Sequence, residues 1–134
     1  MDSSSIELPG SEIETMTVEH GRLTIRFSRA YIVKTMTGSV ERTRWWQAGS
    51  LIMDGAQLES ELPAGPLVCD GGDVEENVYT YRDMIPIPLD SRGRTGCDLR
   101  FRGTDFRLRA CGETIRLEML DVPKYIEHIR PDNA

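Results

Sequence analysis

The chain has 134 residues, 39% of them hydrophobic and 28% charged, the balance of one soluble globular domain rather than of a disordered or fibrous chain. Its formal net charge of -6 argues against a general affinity for nucleic acid or for an anionic membrane surface. Cys69, Cys97 and Cys111 are odd in number and lack C-x-x-C spacing, which argues against a disulfide framework or a zinc knuckle and favours free thiols.

The opening MDSSSIELPGSE carries neither the basic nor the apolar stretch of a secretory signal, and no run approaches the roughly 20 apolar residues of a membrane span. With free thiols, this predicts a cytoplasmic location. Residues 1–10, rich in serine and ending in Pro9 and Gly10, read as a flexible lead-in to a single all-β domain over residues 11–134.

From there the dominant pattern is alternation of apolar and polar residues, punctuated by glycine turns. A hairpin turn at His20-Gly21 sets Val18 against Leu23 and Met16 against Ile25 on one face. The same register sets Glu19 against Arg22 and Thr17 against Thr24 on the other. A slip by one residue would carry charges into the core, so the register is specified. Further strands are expected at residues 30–36, 40–47, 50–56, 66–69 and 77–81, with turns at LPAGP (62–66) and DGGD (70–73).

The stretch MIPIPL, residues 84–89, alternates Ile85, Ile87 and Leu89 with Pro86 and Pro88. Prolines at the outward-donating positions mark a strand that nothing can extend, an edge strand, and the spacing is not that of a PxxP ligand. Pairing by the apolar face places this strand against residues 97–101. A turn at Gly103-Thr104 sets Phe101 against Phe106 and Leu99 against Leu108, with Arg102 against Asp105 and Asp98 against Arg109, and a second turn at Cys111-Gly112 would add a third strand. At the carboxyl end, Asp121 followed by VPKYIEHIR has the pattern of a capped short helix, with Val122, Ile126 and Ile129 on one side. The expected fold is therefore an antiparallel β-sandwich or flattened barrel of about 8–10 strands with that short C-terminal helix.

Charge is unevenly distributed. From Trp45 to Tyr81 there are acids at 54, 59, 61, 70, 73, 75 and 76 and no Lys or Arg; from Arg82 to Arg116 arginines outnumber acids. Opposite blocks can meet within the fold or between copies of it. On the expected ladder Arg100, Arg107 and Arg116 form a row across neighbouring strands, an anion-receiving face unless Asp98, Asp105 and Glu118 balance it. Trp45 and Trp46 are adjacent, so in a strand they point to opposite faces; one fills the core and the other needs a cover, an interface or a ligand.

Catalytic and metal patterns are missing. DGGDVEEN, residues 70–77, lacks the spacing of a calcium loop, and the two histidines, His20 and His128, have no nucleophile or orienting group beside them in sequence. No metal and no cofactor is expected. The function read from the sequence is a non-enzymatic interaction module, acting as a homo-oligomer or on a protein partner, with Trp45, Trp46, Arg100, Arg107 and Arg116 as its binding residues. The alternative is a small-molecule site for an acidic or carbohydrate ligand, which should leave an apolar cavity beside a tryptophan.

Overall fold

A computed structural model describes residues 3–38 and 40–129. The domain is all-β, and its strands are β1 (Ser3–Glu19), β2 (Arg22–Thr35), β3 (Arg42–Asp54), β4 (Gln57–Leu58), β5 (Leu67–Glu76), β6 (Tyr79–Arg82), β7 (Met84–Ile87), β8 (Asp90–Phe101) and β9 (Arg107–Ile129). They form one antiparallel sheet in the order β6-β5-β8-β9-β3-β2-β1-β7, with β4 on β9. Two further pairs, Glu12 with Val68 and Ile13 with Leu67, join β1 to β5. That contact closes a ring of β1, β2, β3, β9, β8 and β5, so the sheet curls into a flattened barrel.

Alternation fills the interior. Leu23, Ile25 and Phe27 of β2 point inward, opposite Met16 of β1 and Leu51 and Met53 of β3. Leu99, Phe101, Leu108 and Ile115 complete the packing from β8 and β9. The His20-Gly21 hairpin has the expected register, Val18 with Leu23 and Met16 with Ile25, and His20 takes a φ of 51°. Across Gly103-Thr104 the register is also as expected, Leu99 with Leu108 and Asp98 with Arg109, but the ladder stops at Arg100 with Arg107: Phe101 pairs with Cys69 of β5, Phe106 is exposed, and the expected pairs Phe101-Phe106 and Arg102-Asp105 do not form.

Several expectations need correction. Residues 3–10 belong to β1 and are no lead-in: Ile6 and Leu8 are 0% exposed and Ile6 lies opposite Ile32 and Ile85. Ser3, Ser4 and Ser5 pair with Thr35, Lys34 and Val33 of β2, and Gly10 lies in a bulge between Glu7 and Glu12, where the Ser11 hydroxyl donates to the Glu7 carbonyl at 2.6 Å and accepts the Tyr31 N–H at 3.1 Å. There is no turn at Cys111-Gly112, because β9 runs straight through it. Gly112 is needed for a different reason, since a Cβ there would overlap Met53 and approach the Asp54 carbonyl at 3.0 Å.

Likewise, no helix follows Asp121. Residues up to Ile129 continue β9 and pair with β3, where main-chain bonding to Arg42–Trp46 outweighs a helical pattern too short to be stable alone. Finally, DGGD lies within β5 rather than in a turn; Gly72, at φ 149°, sits where a Cβ would collide with the Asp98 main chain.

The proline strand is an edge, but not against the expected partner. β7 pairs with β1, Ile85 opposite Ile6 and Pro86 opposite Ser5, and it ends the sheet. β6 and β7 fill the wedge that opens where β5 and β1 diverge, with Asp83 at its apex. Among the described residues no helix is long and apolar enough to cross a membrane.

Candidate functional site

The two tryptophans lie on β3 and face opposite ways, as adjacent strand residues must. Trp45 covers one end of the core. Its ring meets Tyr125 edge to face at 5.3 Å, its Nε1 donates to the Thr43 hydroxyl at 2.8 Å, and Lys34 Nζ stands 4.4 Å over it. Trp46 lies on the outer face between cross-strand neighbours Tyr31 and Lys124. Two cations cover its ring, Arg29 Cζ and Lys124 Nζ, each 4.3 Å from the centroid.

Arg44, two residues before Trp46 and on the same face, links the neighbouring β9 on one side to β1, beyond β2, on the other. One of its nitrogens donates to Glu127 at 2.5 Å and another to Glu7 at 3.4 Å. Beside it lies a groove of about 350 Å³ lined by Glu7, Pro9, Tyr31, Arg44 and Ile126. The buried Nε of Arg44 has no hydrogen-bond partner there, alone among the buried side-chain nitrogens and oxygens of the described residues.

The arginine row does not form. Arg100 and Arg107 are directly opposed across β8 and β9, but Arg116 lies farther along β9, opposite Asp90 and Ile52, because the turn that would have aligned it is absent. Each of the three meets an acid. Arg107 binds both oxygens of Asp98 at 3.0 and 2.7 Å, Arg100 is 3.8 Å from Asp83, and Arg116 reaches Asp54 at 3.2 Å and Glu118 at 3.5 Å. Neutralisation by Asp98 and Glu118 is the balanced-face alternative to an anion-receiving row.

The larger charge division resolves the same way. Acids of the 54–76 region pair with arginines of the 82–116 region inside the fold: Asp54 with Arg116, Glu59 with Arg109, Asp70 with Arg102, and Asp73 with Arg82. A partner is not needed to bring those blocks together. Arg107 also borders a cavity of about 530 Å³ beneath the 59–64 loop, with Leu62, Pro63 and the exposed Phe106, and no tryptophan lines it.

What the strands leave open is an edge of β9. The β8 ladder on β9 ends at Arg116, and the Leu117 N–H donates to the Leu89 carbonyl at 2.9 Å. Beyond that point, among the described residues, β9 pairs with β3 alone, from Glu118 opposite Ser50 to Ile129 opposite Arg42. Val122, Tyr125 and Ile126 on this stretch are 75%, 55% and 40% exposed. Two irregularities interrupt it, one around Asp121, whose carbonyl accepts from the Gln47 amide at 2.8 Å, and one at Ile126, an extra residue between the pairs Trp45-Tyr125 and Arg44-Glu127.

Arg29, Lys34, Arg44, Lys124 and Tyr125 were not singled out from the sequence. A signal for part of the cluster existed: pairing residues across a turn near Gly38 sets Trp46 against Tyr31 and Trp45 against Ile32, as observed. Lys124 and Tyr125 arrive from β9, and nothing local announces that.

Chemically activated groups are scarce. Burial pushes the Cys69 thiol up to about 11 and, with Asp98 beside it, the Cys97 thiol up to about 12, the opposite of nucleophile activation. His128 Nε2 lies 2.7 Å from Glu41, while His20 is in the first hairpin turn. Among the described residues no group of three or more His, Cys, Asp or Glu side chains could hold a metal ion. Comparison with protein-family models, with curated proteins and with solved structures found no match for the chain.

Proposed function

We propose that this domain is a non-enzymatic interaction module that self-associates through the open edge of β9. The observation that carries the reading is the stretch from Glu118 to Ile129, which among the described residues is bonded to β3 on one side only while Val122, Tyr125 and Ile126 remain exposed. An unpaired edge presents a row of N–H and C=O groups, and strand addition satisfies them. On the proline edge, β7 has lost the donors such addition uses; the β9 edge lacks only the N–H of Pro123. The non-enzymatic part is supported by thiols held in their protonated form and histidines without a nucleophile beside them. Free cysteines fit a reducing compartment, which keeps a cytoplasmic location in the proposal.

One strand pair makes a small interface, so association of roughly micromolar strength or weaker is expected. Sedimentation over a range of protein concentrations should show a monomer giving way to a dimer, with amide exchange at residues 124–129 slowing in parallel. A chain that stays monomeric at high concentration would refute the reading.

A second reading has one observation in its favour. The unpartnered Nε of Arg44 beside the Tyr31 groove suits an acidic or carbohydrate ligand. Quenching of tryptophan fluorescence by anionic sugars tests it, and an unchanged spectrum at millimolar ligand opposes it.

A further inference from the structure

We infer that two copies meet in an antiparallel β9 pair about a two-fold axis between Tyr125 and Ile126, so that Lys124 of each copy faces Glu127 of the other. This rests on the self-association reading and goes further, because it names the partner's residues. In a two-fold antiparallel pair the axis position determines every opposing residue.

An axis through Lys124 sets like charges against each other, and an axis between Lys124 and Tyr125 opposes Val122 to Glu127. An axis through Tyr125 opposes Lys124 to Ile126, and one through Ile126 opposes Tyr125 to Glu127. With the axis between Tyr125 and Ile126, Lys124 faces Glu127, Tyr125 faces Ile126 and Val122 faces Ile129. Of these registers it alone matches charge with opposite charge and apolar with apolar.

The shape of the strand agrees independently. Lys124 and Glu127 are three apart, a spacing that would normally put them on opposite faces. The extra residue at Ile126 returns them to one face, for they lie opposite Trp46 and Arg44, two apart on β3. An axis normal to the sheet preserves that face. Arg44, Glu127, the second copy's Lys124 and the Trp46 beneath it then form one line across the seam, repeated by symmetry. Glu127 is half exposed although bound to Arg44, which leaves its carboxylate open to a second cation. The irregular pair Tyr125-Ile126 meets its own copy, so both strands carry the same number of residues between the ionic pairs.

The test uses two variants of the whole chain, K124E and E127K. Alone, each places like charges at both ionic contacts and should raise the dimer dissociation constant by about tenfold at low salt. Mixed in equal amounts they restore opposite charges at both contacts, and the mixture should dimerise within about threefold of the unaltered chain. E127K also removes a partner of Arg44, so its melting curve is recorded, and K124Q, which leaves the Arg44 contacts intact, should weaken the dimer without repulsion. A mixture that stays monomeric while both variants remain folded overturns this register, as do single variants that dimerise normally. If the unaltered chain dimerises in either case, self-association survives and only the register falls; if it is monomeric, both fall.

Discussion

Asp83 and Gly72 are bonded in both directions: the Gly72 N–H donates to Asp83 Oδ1 at 2.9 Å, and the Asp83 N–H donates to the Gly72 carbonyl at 2.7 Å. The Asp83 carbonyl in turn accepts the Leu8 N–H at 2.9 Å. One residue thus ties β5 to β1 at the point where they diverge, and it does so at φ 60°, a conformation Asp and Asn tolerate better than most side chains. Asp83→Ala loses the acceptor and keeps the backbone cost, so unfolding in urea should show a loss of about 1–3 kcal/mol. Asp83→Asn keeps an acceptor and a tolerated φ and should lose under about 1 kcal/mol. Equal stabilities for the alanine variant and the unaltered chain would remove Asp83 as the apex of the wedge.

Ile6 gives a second test, because its sequence surroundings and its position disagree. It sits among serines, yet it is fully buried between Ile32 and Ile85. Ile6→Ala should cost about 2–5 kcal/mol by urea denaturation, the range for a buried large-to-small change. A residue in a loose lead-in would cost within about 0.5 kcal/mol, and that result would detach the first half of β1 from the barrel.

Ile6 also marks the limit of what the sequence carries. The hairpins at His20-Gly21 and Gly103-Thr104 were legible because both strands lie within a few residues of a turn and two faces test one register. The prolines of MIPIPL located an edge correctly, since a missing N–H is a local property. Its partner was not local: Ile85 chooses Ile6 on β1, not Phe101 on β8. The β3–β9 pairing has the same character, and missing it turned an exposed strand into a short helix. At the site, the opposed directions of Trp45 and Trp46 followed from strand geometry alone. The cations over Trp46 come from β2 and β9, and the arginine row failed with the single turn on which it depended.

The three thiols should separate by reactivity. Cys69 and Cys97 are buried, with thiols raised to about 11 and 12, so at neutral pH they are protonated and shielded. Cys111 is partly exposed; a hydrogen bond with Glu59 also holds its thiol above the ordinary value, which slows it without hiding it. A disulfide reagent at pH 8 should modify Cys111 alone in the folded chain and all three in guanidinium. Rapid modification of Cys97 in the native protein would contradict the packing of β8 against β5.

Asp54 sets the last expectation, on acid stability. Its carboxylate accepts from Arg22 Nε at 2.7 Å and from Arg116 at 3.2 Å, and these bonds, that with Arg22 first, hold its pKa below the usual carboxylate value. The folded state therefore binds the proton less readily than the unfolded one. The stabilisation is present above the unfolded pKa of about 3.9 and fades as pH falls through the lower folded value. Asp54→Asn should melt below the unaltered chain at pH 7, and the gap should narrow from about pH 4 downward as the carboxylate is protonated. Because all three side chains are partly exposed, salt should narrow it too. A gap that widens in acid would mean that Asp54 acts through something other than these arginines.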